Sequence, residues 1–148
     1  ADYWAAEEVK LTSGKLLPAI KASMAVPGVF APVLNAGKVL VDGGIVNLVP
    51  YDHVLEKSDI SIAVNVAKAR TPGRRKVPGA LESVLSTFEV MQAATLAGKM
   101  RHRPPDIYVH PEIRGVSMFD FSKVETIFHQ AEPAMEKLRK SLAKKLAE

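Results

Sequence analysis

The sequence predicts an α/β fold, and three observations lead to this prediction. Strand and helix patterns alternate along the chain in the order β, α, β, α, β, α, which is typical of a parallel sheet covered by helices. Residues 60–66 are almost continuously apolar, as strands covered on both faces are. The 148 residues, 47% apolar and 24% charged, suit a single globular domain with one core.

The first half of the chain predicts short elements around one helix. Residues 8–12 are predicted to pair as strands, and residues 15–24 carry apolar side chains at helical spacing. A short strand is predicted over residues 38–41. It ends at Asp42-Gly43-Gly44, where we expect the two glycines to adopt backbone angles that other residues take only at a cost. Pro50 opens a short helical stretch to about residue 57.

The second half predicts two long helices with a strand between them. The first helix covers residues 78–101, the strand covers residues 107–110, and the last helix carries an apolar stripe whose members lie between Val124 and Leu146. Pro133 is expected to kink or divide the last helix. The packed face of the first helix is predicted to consist of Leu81, Val84, Leu85, Phe88, Met91 and Thr95.

The composition excludes several classes of function. No cysteine is present, so disulfides, thiolate metal sites and cysteine nucleophiles are excluded. No apolar run approaches the roughly 18 residues of a membrane-spanning helix. The net charge of +4 permits anionic partners, but no nucleic-acid motif occurs, and no nucleic-acid partner is predicted. Residues 68–76 hold five basic side chains and no acidic one, which favours a solvated loop over an anion site.

Asp42 is the leading candidate for a catalytic residue. It follows a predicted strand of a parallel sheet, and α/β folds place their sites at the carboxyl edge of such sheets. Asp-Gly is also the commonest tight-turn pair. Taken alone, the three residues of the Asp-Gly-Gly motif therefore favour a structural turn.

Two flanking blocks favour a catalytic role for Asp42 over a structural turn. Residues 22–33 read ASMAVPGVFAPV, and residues 37–50 read GKVLVDGGIVNLVP. Together they closely resemble the C-terminal part of the patatin-like phospholipases. That family carries Ala-Ser-x-Ala-x-Pro-x-x-Phe, then a strand that enters Asp-Gly-Gly or Asp-Gly-Ala, then Asn and Pro. A looser similarity continues through residues 60–66 and 106–110.

The resemblance implies that Asp42 is the base of a Ser-Asp catalytic dyad. A carboxylate at hydrogen-bond distance can take the proton of a serine hydroxyl without an imidazole between them. Gly43 and Gly44 would then let the loop of the nucleophile approach closely. In the family, the serine lies in Gly-x-Ser-x-Gly after a Gly-rich oxyanion loop, and neither motif occurs in this sequence.

The remaining polar candidates are predicted to be structural. Ser117 lacks the second glycine of the family motif and follows Asp42 in the chain, so it is rejected as the nucleophile. We expect the Ser23 hydroxyl to bond a nearby carbonyl or the Asp-Gly-Gly turn, and Asn47 to bond its own backbone. The four histidines form no pair at metal-ligand spacing, so we expect no metal and no organic cofactor.

The resemblance implies that residues 1–148 are the C-terminal portion of a patatin-like domain, with the nucleophile half absent and helices on both faces of the sheet in three layers. The chain begins with Ala1 and not with Met, which agrees with an excised piece. The whole enzyme is expected to be a bacterial esterase of lipid degradation that hydrolyses phospholipid or lysophospholipid. It would be cytoplasmic, with possible contact to the membrane surface, and this chain alone would be inactive.

Two further readings stay open. The chain could be a non-catalytic α/β module that binds lipid or a protein partner, or a structural fragment without function of its own. In the fragment reading an uncovered apolar face or strand edge predicts self-association. Residues 134–148 are amphipathic and basic, so they could pack on the sheet or lie on an anionic bilayer. Packing on the sheet is favoured, because the apolar stripe continues a helix that must cover a parallel strand.

Overall fold

The computed structural model describes residues 1–67, 77–116 and 120–147. Its helices are α1 (Leu16–Ser23), α2 (Ala80–His102) and α3 (Val124–Leu146), and its strands are β1 (Val33–Asn35), β2 (Lys38–Leu40), β3 (Ile62–Val64) and β4 (Ile107–Val109). Helices and small sheets together give the mixed α/β class that the sequence predicts. The three-layer arrangement stays a prediction.

The described residues divide into two compact units. The first unit contains Ala1–Leu48 and Val77–His102, and the second unit contains the described residues of Val49–Lys76 and Arg103–Glu148. The predicted basic loop over residues 68–76 and the rejected candidate Ser117 both lie outside the described residues.

In the first unit, β2 forms as predicted, but its neighbours are antiparallel. β1 pairs with it in a hairpin whose register sets Asn35 opposite Lys38. The two-residue turn is Ala36-Gly37, with φ of 49° and 78°, and positive φ at both turn positions matches the twist of a tight hairpin. The expectation that Asp42 leaves a parallel strand is therefore wrong, because a two-residue turn can only return the chain antiparallel.

The other edge of β2 is paired by the start of the chain. Asp2 forms antiparallel bridges with both Leu40 and Glu7, and the Tyr3 amide donates to the Val39 carbonyl at 2.8 Å. Residues 8–12 have no regular secondary structure. The predicted strand over those residues is wrong, because the pairing lies a few residues earlier in the chain.

Helix α2 confirms the predicted helix but packs on a different face. Leu85, Phe88 and Leu96 are buried or half-buried, whereas Val84 and Met91 are exposed. Apolar residues lie almost all round this helix, so the sequence pattern does not select one face. The contact with the 3-10 turn Gly43–Ile45 in the first unit selects it.

In the second unit, β3 and β4 pair in parallel, as predicted, with Ile62 opposite Ile107 and Val64 opposite Val109. Burial alternates along β3: Ala63 is buried, whereas Ile62 and Val64 are 37% and 46% exposed. Within the described residues, β3 is thus covered on one face, and the prediction of a strand covered on both faces is wrong.

Helix α3 runs unbroken from Val124 to Leu146 with Pro133 inside it, so the proline does not divide the helix. It packs against β4 through a half-buried stripe that includes Ile127, Ala131 and Leu138. Among the described residues, no helix combines the length and the apolar character needed to cross a membrane.

Candidate active site

Two backbone hydrogen bonds hold Asp42 and the residue before it. The Val41 amide donates to the Ala1 carbonyl at 2.9 Å, and the Asp42 amide donates to the Ala25 carbonyl at 3.0 Å. Ala25 and Val41 are both buried. The family-like block around Ala25 thereby holds the end of the β2 segment in place, and the two sequence blocks that carry the resemblance meet at Asp42.

The two oxygens of the Asp42 carboxylate have different surroundings. Oδ1 accepts the Gly44 amide proton at 2.7 Å and so caps the 3-10 turn Gly43–Ile45. The side chain is half-buried, and in the described part of the chain no cation lies within 4 Å of it and no donor reaches Oδ2. Oδ2 is therefore chemically available as a proton acceptor.

Gly43 and Gly44 have separate structural roles. Neither glycine lies in the left-handed region, so the expectation of special backbone angles is wrong. A Cβ on Gly43 would meet open space, which leaves room beside the turn. A Cβ on Gly44 would lie 2.9 Å from Gln92 Nε2 and 3.0 Å from Asp42 Oδ1. A side chain at position 44 would therefore require the ends of the Gln92 and Asp42 side chains to shift, which the sequence does not reveal.

Asn47 closes the other end of the same loop through long-range bonds. Its Nδ2 donates to Glu8 Oε1 at 3.1 Å, and Lys99 Nζ on α2 donates to its Oδ1. Asn47 thus bridges two distant segments, a role that the sequence does not predict. The sequence offers one signal for this bridge: Gln92 and Lys99 are seven residues apart, and so lie on one helix face.

Comparison with known proteins identifies the segment that holds this site. The sequence model of the patatin-like phospholipases matches residues 4–55, which include Asp42, Gly43 and Gly44. Over these residues the chain is similar to the patatin-like phospholipase family. Helix α2, which supplies Gln92 and Lys99, lies outside the matched residues.

Curated relatives support this similarity. Lysophospholipase NTE1 of Saccharomyces cerevisiae is 28% identical over 134 residues, which cover 74% of this chain and 8% of the yeast protein. Uncharacterized NTE family proteins of Mycobacterium bovis and Mycobacterium tuberculosis are 32% identical over 105 residues, covering 64% of this chain and 29% of the relative. This patatin-like chain thus spans less than a third of the length of these relatives.

Ser23 does not form the hydrogen bond expected of it. It lies at the exposed end of α1, and within the described ranges its hydroxyl has no hydrogen-bond partner. Pro50 directly precedes the 3-10 turn Tyr51–His53, which agrees with its predicted place at the start of a helical stretch.

The second unit contains a serine–aspartate pair that sequence reasoning missed. Asp106 Oδ2 accepts from the Ser61 amide at 2.9 Å and from its hydroxyl at 2.7 Å, and Ser61 Oγ accepts the Asp106 amide proton at 2.9 Å. Lys145 Nζ lies 3.2 Å from Oδ1. These contacts, with the Ser61 backbone bond first, lower the pKa of Asp106 to about 2.

This pair is structural and not catalytic. Ser61 is 2% exposed, and its hydroxyl both donates to and accepts from Asp106, so it has no free approach to a substrate. A carboxylate with a pKa near 2 is also a weak base. The two residues join the starts of β3 and β4, whereas Asp42 follows the end of β2 with one oxygen unoccupied.

Proposed function

We propose that this chain is the C-terminal portion of a patatin-like serine acyl-ester hydrolase acting on phospholipid or lysophospholipid, and that Asp42 is its general base. The observation that carries the proposal is the state of Asp42 inside the family-matched segment: half-buried, held by Gly44 through Oδ1, and open at Oδ2. The printed name of the yeast relative, a lysophospholipase, supports the substrate class.

In the proposed reaction, a serine supplied by another part of the whole protein attacks the acyl carbon of the lipid ester. Its hydroxyl proton moves to Asp42 Oδ2 as the new bond to carbon forms. When the tetrahedral intermediate collapses, the bond to the lipid alcohol breaks and that oxygen takes the proton from Asp42. Water then repeats the sequence on the acyl-enzyme and releases a free fatty acid.

The open space at Gly43 and the bond at Gly44 suit this role. The Gly44 amide fixes one oxygen of the carboxylate, so the rotation that would misdirect the other oxygen is restricted. The space beside Gly43 leaves room for the segment that carries the serine. No step of this mechanism needs a metal or an organic cofactor.

The test is Asp42→Asn in the full-length protein, with fatty acid release from a lysophospholipid as the measurement. Loss of the base should lower kcat by about 10²- to 10⁴-fold, because an amide cannot accept the serine proton. Asp59→Asn, at an exposed position outside the matched residues, is the control and should retain full activity.

The chain by itself should not turn over a nitrophenyl ester, since it carries a base without the family's nucleophile and oxyanion motifs. Turnover by the chain alone that disappears in Asp42→Asn would contradict the proposal. Unchanged lipase activity of full-length Asp42→Asn would contradict it as well.

A second candidate function is binding of lipid or a protein partner without catalysis. It is favoured by the apolar side chains that the first unit leaves exposed, among them Leu16 and Leu34, each 74% exposed. The sequence that precedes Ala1 in the whole protein discriminates the two candidates. A Gly-x-Ser-x-Gly motif after a Gly-rich loop supports the hydrolase, and its absence supports the binding module.

Contact of α3 with an anionic membrane is a weaker part of the partner proposal. The helix is basic near its end, but its apolar stripe packs on β4. The Glu136 carboxylate, on the exposed surface of the helix, lies 3.8 Å from the basic groups of both Arg139 and Lys140 and lowers the net positive charge of that surface. Packing against the sheet is therefore the main role of this helix.

A further inference from the structure

Gln92 is the side chain of α2 that reaches the Asp-Gly-Gly turn. Its Nε2 lies 2.9 Å from the position where a Cβ of Gly44 would be, and Asp42 Oδ1 lies 3.0 Å from the same position. Nε2 and Oδ1 are therefore separated by at most about 6 Å.

Gln92 is also unusual for its place on the helix. The neighbouring positions of the packed face, Leu85, Phe88 and Leu96, are apolar. A polar group buried on such a face costs free energy unless it forms a hydrogen bond. The Gln92 carboxamide is half-buried and has no hydrogen-bond partner among the described residues. The N–H groups of Gln92 are thus available to donate hydrogen bonds to the Gly43–Ile45 turn or to a segment packed beside that turn.

We propose that Gln92 is a positioning residue for Asp42. The carboxamide packs against Gly44 on the side of Oδ1, and so keeps the Gly44–Oδ1 hydrogen bond in place and leaves Oδ2 directed to the nucleophile. Lys99, two turns further along α2, holds Asn47 at the far end of the same loop. Helix α2 braces the loop at both ends, which deepens the proposed function and rests on it.

The test changes the charge at position 92 in the full-length protein and follows kcat against pH. Gln92→Glu sets a second carboxylate within about 6 Å of Asp42, and at effective dielectric constants between 80 and 20 this should move the acid limb upward by about 0.5 to 2 pH units. The other charged groups near this loop are Glu8 and Lys99, which bond Asn47, and the Ala1 amino group, which interacts electrostatically with Asp42; the variant leaves all three unchanged.

Ala94→Glu is the matched control. It adds the same charge to the same helix two residues further on, about 200° around the helix axis, at an exposed position. Its acid limb should stay within about 0.2 pH units of the wild type, because an exposed charge on the opposite face is screened by solvent. Gln92→Ala should lower kcat about tenfold with KM unchanged, since substrate binding does not involve the turn.

The outcomes separate this inference from the proposed function. If Gln92→Glu and Ala94→Glu have the same acid limb, or Gln92→Ala retains full kcat, Gln92 does not position Asp42 and the inference is wrong while the hydrolase proposal stands. If Asp42→Asn is fully active, the hydrolase proposal itself fails. Should Gln92→Glu not fold by circular dichroism, Gln92→Lys replaces it, with a downward shift of similar size as the supporting result and no shift as the contrary one.

Discussion

Asp42 follows strand β2 and Asp106 precedes strand β4, and their neighbours leave the two carboxylates with different capacities to accept a proton. Asp106 receives the amide and hydroxyl of Ser61 and the Lys145 ammonium, which lower its pKa to about 2. Asp42 receives one backbone amide. A carboxylate whose oxygens are all engaged stabilises a fold, and one with an unoccupied oxygen can act on a substrate.

At the same scale, the two glycines of the motif should respond differently to alanine. Gly44→Ala should lower the free energy of unfolding by about 1–3 kcal/mol, because its Cβ would overlap Gln92 and the capping oxygen of Asp42. Gly43→Ala is the matched control and should change the free energy of unfolding by no more than about 1 kcal/mol, since its Cβ meets open space. Urea unfolding measures both. Equal effects at the two positions would contradict the packing that the structure describes.

At the scale of elements, the Ser61–Asp106 bonds hold the starts of β3 and β4 together. The folded pKa of Asp106 lies at about 2, below its usual 3.8, so this carboxylate contributes stability above about pH 4 and loses that contribution as the pH falls from 4 to 2.

Asp106→Asn should therefore lower the stability at pH 6 and flatten its dependence on pH between 2 and 4. Urea unfolding across this range measures it, with exposed Asp59→Asn as the control. Ser61→Ala should cost about 1–3 kcal/mol at pH 6, because it removes the buried hydroxyl that donates to the Asp106 carboxylate and accepts from the Asp106 amide. An unchanged slope in Asp106→Asn would show that these bonds do not couple protonation to folding.

The elements also show which features an apolar pattern predicts and which it does not. Helices α1, α2 and α3 and strands β2, β3 and β4 are predicted within a few residues, because each has a strong apolar period or run. β1 has three residues and no period to detect, and the packed face of α2 is ambiguous because apolar side chains surround that helix. The predicted pairing of residues 8–12 failed because the bridges form at Asp2.

At the scale of the whole molecule, apolar surface is exposed in each unit separately. In the first unit Leu16, Leu17 and Leu34 are exposed, and in the second unit Val64 and Val66 are exposed beside the strand pair. Exposed apolar side chains next to short, unpaired strand edges favour association. Self-association of the chain, which the sequence predicts, remains a proposal on this basis.

Sedimentation velocity tests whether the chain self-associates. The chain should show a sedimentation coefficient that rises with protein concentration, and Leu16→Lys with Leu34→Lys should reduce this rise because two apolar contacts of the first unit are lost. Lys10→Gln, which alters an exposed charge and no apolar group, should leave the rise unchanged. A concentration-independent monomer would contradict the proposal and weigh against the fragment reading.

The sequence by itself determined the α/β class, the resemblance to the patatin-like family and the candidate base Asp42, because these depend on local periodicity and on residues at fixed offsets along the chain. The tertiary structure alone decided the antiparallel neighbours of β2, the role of Gly44 and the approach of Gln92. It also showed that the Asp106 carboxylate is engaged by structural bonds, whereas Asp42 keeps one oxygen unoccupied. Each of these rests on contacts between segments distant in sequence, and local patterns carry no record of which distant side chain fills a given space.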